Sequence, residues 1–302
     1  MSAIDIEGLR KSYGSVVAVD DVSLHVENSE IFGVIGPNGA GKTTLLECVE
    51  GLRRPDAGQV RVMDLDPIRD GYEMRERVGI QLQSSALPDR LKVTEALDLF
   101  TSFYRKALPY GPLMRDVGLT ESARVAFANL SGGQKQRLFI ALALLNDPEI
   151  VFLDELTTGL DPQAKRAVWQ LVRGMRERGK TVVLTTHSME EASELCDRVA
   201  IIDHGKVIAL DKPSELTRRL GGEQRVSFAA AGVDPNLLRS LPIIARVETN
   251  DGRIVVYGKG RDFVHDLISA LHDKDVRVTD LEVAQPTLED VFLSLTGREL
   301  RE

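Results

Sequence analysis

Eight residues constrain this chain more than any others: Gly36-Pro37-Asn38-Gly39-Ala40-Gly41-Lys42-Thr43. They fit the pattern GxxxxGK[ST], and they sit between an apolar run, Ile31 to Ile35, that reads as a strand, and Thr44 to Val49, which reads as a helix. Strand, glycine-rich turn and helix in that order form a phosphate cradle. The glycines let backbone N–H groups of Asn38 to Thr44 turn inward around phosphate oxygens, and the positive end of the helix points to the same place. Lys42 adds a charge for the β- and γ-phosphates, and the Thr43 hydroxyl is a fitting ligand for Mg²⁺. With average glycine usage, such a match arises by chance in about one chain in a hundred of this length.

A cradle of this kind needs a parallel sheet behind it, and the rest of the chain supplies the pattern. Ile4 to Ile6, Ser15 to Val19 and Val22 to Val26 are short strand-like runs ahead of the cradle. Residues 92 to 145 read as mostly helical, broken by Pro109 and Pro112. Strand and helix then alternate: Ile150 to Leu153, a helix from Pro162 to Arg178, Thr181 to Thr185, a helix from Met189 to Leu195, and Val199 to Ile202. A helix over Ser214 to Leu220 leads to Gly221-Gly222, where the composition changes. Beyond it the reading is strand (Arg225 to Phe228), helix (Pro235 to Leu241), strands (Ile243 to Val247, Arg253 to Tyr257), helix (Asp262 to Leu271), strand (Val276 to Val283) and a last helix from Thr287 to Leu300. The order βαββαβ is the ferredoxin-like pattern. The expected domains are therefore 1–220, with a helical subdomain at about 84–145, and 221–302.

The run Ile150-Val151-Phe152-Leu153 is apolar throughout, as in a strand covered on both faces, and it delivers Asp154 and Glu155 at its carboxyl end, where ligands bind in open α/β sheets. Adjacent strand residues point in opposite directions. Asp154 is accordingly assigned to the metal and Glu155 to the attacking water, as general base or orienting group. Thr181 to Thr186 ends at His187, which is placed to address the γ-phosphate and to position Glu155.

Leu130-Ser131-Gly132-Gly133-Gln134, together with the two preceding motifs in this order, resembles the signature of the ATP-binding cassette (ABC) family. The resemblance covers residues 1 to about 220, and each motif occurs once. It implies an α/β P-loop ATPase with a mixed sheet, antiparallel N-terminal strands and a helical subdomain, joined here to a small α+β domain. It further implies ATP and Mg²⁺ as cofactors and a head-to-tail pair of chains around two ATP molecules. Carried over by position, Tyr13 would stack on adenine, while Ser131, Gly133 and Gln134 would contact the γ-phosphate held by the second copy. Asp161 would cross the dimer axis. A glutamine following a strand would touch Mg²⁺ and water and couple the helical region to the nucleotide. Gln81 and Gln83 both fit, and Gln83 is chosen because it ends the strand. Leu156 stands where the family usually has proline, which puts the rigidity of that turn in question.

The tail, Gln285-Pro286-Thr287-Leu288-Glu289-Asp290-Val291-Phe292 with Leu293 to Gly297, is similar to that of daunorubicin-resistance-type exporter ATPases. It also reads as an amphipathic helix burying Leu288, Val291, Phe292 and Leu295. The resemblance implies a transport ATPase working with a multi-span membrane permease, peripheral on the cytoplasmic face of the cell membrane. The competing classes are a cassette ATPase acting on ribosomes or nucleic acid and a module that only senses nucleotide. Composition weighs against the first: 38 basic and 46 acidic residues leave a net charge of −8, whereas nucleic-acid binders usually carry the opposite balance. Cys48 and Cys196 alone cannot build a disulfide framework or a four-cysteine zinc site. The longest apolar run, Leu138 to Leu145, is far short of a membrane span, and Met1 to Glu7 do not read as a secretory signal.

Overall fold

A computed structural model describes residues 2–82, 86–220, 223–229, 238–250, 253–259, 262–274, 276, 278–284 and 286–297. The chain divides after Lys212 into two compact units, the second spanning Pro213–Leu300.

The first unit is built on six strands in the order β5-β6-β7-β3-β8-β9: β3 (Ile31–Ile35), β5 (Val78–Gln81), β6 (Ile150–Asp154), β7 (Thr181–Thr186), β8 (Arg198–Asp203) and β9 (Lys206–Asp211). All neighbours are parallel except β9, which returns antiparallel along β8. Every residue of β3, β6 and β7 is buried, which is why these three are continuous apolar or threonine-containing runs with no alternation. A second sheet, β2-β1-β4, is antiparallel: β1 (Ser2–Tyr13), β2 (Val16–Glu27) and β4 (Ala57–Val62). One core joins the two sheets, with Ile4, Leu9 and Val26 on one side and Phe32, Phe152 and Val183 on the other, around Leu45 and Leu46 of α1 (Lys42–Val49).

Of the three short strands expected before the cradle, Ile4 to Ile6 lies within β1, and Ser15 to Val19 and Val22 to Val26 are a single strand, β2, whose local break falls at Asp21, with φ 57°. Between β5 and β6 lie α3 (Val93–Thr101), α4 (Tyr110–Asp116) and α5 (Gly132–Leu144), joined by loops and two turns of 3₁₀ helix, after α1 and the short α2 (Gly71–Arg75) earlier in the chain. Pro109 and Pro112 begin α4 and do not break a helix, since the first turn has no intrahelical use for their missing N–H groups. The remaining helices of this unit are α6 (Pro162–Glu177) and α7 (Met189–Leu195).

The second unit begins with α8 (Pro213–Arg219), which the sequence reading assigned to the first domain. Its buried Leu216 and its packing against α10 (Leu288–Thr296) place it here. Strands β10 (Glu223–Ala229), β11 (Ile244–Asn250), β12 (Arg253–Lys259) and β13 (Thr279–Ala284) pair antiparallel in the order β11-β12-β10-β13, the order that a βαββαβ chain makes. Val226, Phe228, Val247, Ile254 and Val256 face Phe263, Leu267 and Leu271 of α9 (Phe263–Asp273) across its core. Of the helix expected over Pro235 to Leu241, residues 235–237 lie outside the described residues, and at 238–241 a single helical turn carries the buried Leu238. α10 stops at Gly297, which takes φ 68°, and Leu295, expected in its buried stripe, is 50% exposed, while Leu288, Val291 and Phe292 are buried. Among the described residues, no helix is long and apolar enough to cross a membrane.

Candidate functional site

The carboxyl ends of β3, β6 and β7 converge on one edge of the parallel sheet, and the residues that follow each strand make the site. After β3 the chain turns through Gly36 to Gly41 into α1. Gly41 caps that helix at φ 103°, where an added Cβ would stand 2.1 Å from the Ala18 carbonyl oxygen, so no other residue fits. The loop is closed by the Ala40 amide donating to Pro37 O at 3.2 Å. Lys42 folds back over it, Nζ donating to Gly36 O at 2.9 Å and to Pro37 O at 3.0 Å. Burial pushes this ammonium below the usual lysine range, against the pull of Glu155 and Asp154. The lysine is thus held by two neutral carbonyls at a place where anionic oxygens would bind it better.

Asp154 ends β6 with its carboxylate buried, hydrogen-bonded by the hydroxyls of Thr185, on the neighbouring strand, and of Thr43, at the start of α1. Burial raises its pKa; those two hydrogen bonds and the Lys42 charge oppose the rise, and Glu155 adds to it. One carboxylate and one hydroxyl meeting beside a lysine form an oxygen-donor set of the kind that Mg²⁺ takes.

Glu155 is aimed by a different device from the one its position on an apolar strand suggests. The strand ends at Asp154, and Glu155 takes a left-handed backbone, φ 48°, which is costly for a residue with a Cβ. Its amide is fixed by Thr185, donating to the carbonyl oxygen at 3.2 Å and to Oγ1 at 3.1 Å. Glu155 therefore stands in a left-handed turn past the end of β6, outside the alternation of side chains along that strand. His187 follows β7, with its Nδ1 3.7 Å from Glu155 Oε1.

The turn after Glu155 is anchored without proline. Leu156 is fully buried, and Thr157 Oγ1 donates to Glu191 Oε1 at 2.7 Å. The same oxygen accepts Trp169 Nε1–H at 3.0 Å, so α6, α7 and the turn share one buried carboxylate. Leucine at 156 therefore leaves the turn held by burial and by this network. Glu191 and Trp169 escaped the sequence reading because nothing local in Ser188-Met189-Glu190-Glu191 distinguishes a buried acid from an exposed one.

Ser131 caps α5, accepting the Gln134 amide at 3.2 Å, while its own amide donates to Gln134 Oε1 at 2.8 Å. Gln134 Nε2 also donates to Ser122 Oγ at 3.0 Å. An added Cβ at Gly133 would lie 2.8 Å from the Ala164 Cβ, so α5 and α6 approach closely at their starts. Among the described residues no hydrogen bond or ion pair joins Ser131, Gly133 or Gln134 to the cradle at Gly36 to Thr43. Asp161, exposed, caps α6 by accepting the amides of Gln163 and Ala164 at 3.0 and 2.9 Å. Tyr13 ends β1 with its ring 42% exposed, and the Arg53 guanidinium lies 5.1 Å from the ring centroid.

Gln83 lies outside the described residues. Gln81 is buried at the end of β5, its Nε2 donating to Leu82 O at 2.7 Å. One further acid was not foreseen. Glu50, next after α1, is 1% exposed with Oε1 unpartnered, and burial pushes its carboxyl up to about 8, with the charges of Asp154 and Glu47 acting in the same direction.

The comparisons with known proteins agree with this fold. The family described as ABC transporter matches residues 19–158, and the family described as ATP-binding protein DrrA1-3-like, C-terminal domain, matches residues 212–296. Daunorubicin resistance ATP-binding protein DrrA3 of Streptomyces coeruleorubidus is 36% identical over 308 aligned residues, covering 99% of this chain and 98% of its own. Nod factor export ATP-binding protein I of Paraburkholderia xenovorans (strain LB400) is 38% identical over 310, covering 100% and 99%. Among solved structures, a dimeric ATP-binding cassette in a post-hydrolysis state with ADP and Pi is 30% identical, with a TM-score of 0.62 over 69% of this chain and 98% of that one.

Proposed function

This chain belongs to the ABC transporter family as an ATP-binding, ATP-hydrolysing subunit with a DrrA-type C-terminal domain, and on that premise we propose that it powers export through a separate multi-span membrane subunit. Two copies pair head to tail around two ATP molecules, ATP binding closes the pair and hydrolysis reopens it. The observation that carries this reading is that, among the described residues, no bond joins the cradle with Lys42 to the capped start of α5 at Ser131, the two places read as anion sites. A second copy is the natural source of the missing partner for each. The similarity along the whole chain to relatives named for daunorubicin resistance and Nod factor export supports the direction of transport.

Within each site, the cradle from Asn38 to Thr44 holds the phosphates and Lys42 exchanges its two carbonyl partners for phosphate oxygens. Thr43, Asp154 and Gln83 are the residues proposed to hold Mg²⁺, which when bound neutralises charge developing on the phosphates. Glu155 accepts a proton from the attacking water or orients it, and His187 positions Glu155 and the γ-phosphate. Tyr13 supports the adenine. Ser131, Gly133 and Gln134 face the nucleotide of the second copy, and Asp161 links the two sites. Little covalent chemistry falls to the protein, so the rate comes from positioning and electrostatics.

Purification of the tagged chain from detergent-solubilised membranes of its own cell tests the transporter reading. Recovery with a multi-span partner, and ATP turnover stimulated by that partner, is the expected result. Recovery with ribosomes or nucleic acid instead would reject it.

A further inference from the structure

The face of the C-terminal sheet opposite α9 carries an in-register row that the ATPase does not use. Arg246 on β11, Tyr257 on β12 and Arg225 on β10 are successive cross-strand partners. The Arg246 guanidinium lies 3.9 Å from the centroid of the Tyr257 ring, and the Tyr257 hydroxyl donates to Glu248 Oε2 at 3.0 Å. The end of α8 and one side of α10 form further walls of a cleft of about 760 Å³ over this row, within the range of small-molecule sites.

The polar groups in the cleft are unevenly satisfied. Its two acids are engaged: Glu248 by Tyr257 and, at 3.3 Å, by Arg246; Asp290 by the amide and hydroxyl of Thr287, both at 2.8 Å. The cleft also carries Arg225, Arg246, which pairs with Glu248, and Arg219, which is itself engaged. Among the described residues the buried Arg225 Nε has no hydrogen-bond partner, although a buried guanidinium donor is normally satisfied. Among its described residues the cleft therefore combines three guanidinium groups with two carboxylates over a rigid aromatic floor. Guanidinium geometry matches the planar or tetrahedral oxygens of carboxylate and phosphate.

We propose that this cleft binds a compact anion, a small molecule bearing carboxylate or phosphate, with the partly exposed Arg225 guanidinium as its donor and Arg246 held in place by Tyr257.

The test follows the Nε–H resonances of arginine in ¹H–¹⁵N spectra of the full-length protein, with the Arg225 signal identified by its loss in Arg225→Gln. Inorganic phosphate and citrate are titrated separately at constant ionic strength. The expected result is a saturable shift of Arg225 Nε–H and the Tyr257 amide with a Kd of about 1 mM or tighter for at least one probe. A response to phosphate assigns a phosphoryl ligand, and one to citrate a carboxylate. At the Tyr257 amide, Arg225→Gln and the charge-retaining Arg225→Lys should each raise that Kd at least about tenfold, so a folding failure of one variant leaves the other to decide. Non-saturating drift with both probes, or an unchanged Kd in these variants, overturns the proposal.

Discussion

His187 Nδ1 stands 3.7 Å from Glu155 Oε1, beyond hydrogen-bonding distance, and that buried ring nitrogen has no hydrogen-bond partner among the described residues. The two side chains enter from the ends of adjacent strands, one fixed by a left-handed turn and the other by the end of β7. This pairing suits groups that address a third atom together. Replacing Glu155 by Gln keeps the volume but removes the proton acceptor. We expect nucleotide binding to persist while turnover falls by about 10²-fold or more, with a closed two-copy species accumulating in ATP. Hydrolysis assays beside light scattering would check it; wild-type turnover in E155Q would remove Glu155 from the mechanism.

The Lys42 hydrogen bonds to Gly36 O and Pro37 O lead to a second expectation. An ammonium held only by neutral carbonyls gains charge-assisted bonds when phosphate enters, each worth about 1.5–3 kcal/mol. Lys42→Ala should therefore weaken ATP binding at least about tenfold, measured by equilibrium titration with a fluorescent analogue. Unimpaired affinity would contradict the role given to the cradle.

Glu191 ties the turn after Asp154 and Glu155 to α6 and α7 through Thr157 and Trp169. Glu191→Leu would strand two buried donors, each costing about 1–3 kcal/mol, and would loosen the turn that leads from Glu155. The prediction is a stability loss of about 2–6 kcal/mol by denaturant titration, together with reduced turnover under conditions where the variant remains folded. A variant as stable as the wild type would show that the network is dispensable.

How far this could be read from sequence depends on whether a signal is local. The cradle and β3, β6 and β7 were legible, because glycines at fixed spacing and apolar runs covered on both faces each leave a one-dimensional mark. Strands β4 and β9 were missed: β4 turns only Val60 and Val62 inward, and β9 is an edge strand with no fully buried residue. The break at Asp21 split one strand into two, since a positive φ at aspartate leaves no mark as plain as glycine. The aim of Glu155 was assigned to strand alternation, whereas a left-handed turn supplies it. Buried carboxylates are tertiary facts: Glu50 and Glu191 differ from Glu47 and Glu190 only in what the fold packs over them.

Glu50 gives the last prediction, in which the sign decides. Its folded-state pKa of about 8 lies above the ordinary 4.5, so between those values the folded protein holds a proton that the unfolded chain has released. Raising the pH through this window therefore removes stability, on the order of 1 kcal/mol per pH unit, and the loss levels off above about pH 8. Glu50→Gln has the same shape and cannot titrate, so its stability relative to wild type should grow from pH 5 to pH 8 and then become constant. Urea unfolding of both proteins at several pH values reads this difference directly. A difference that does not vary with pH would mean that Glu50 finds a compensating partner or ionises at its ordinary value, and the burial argument would fail.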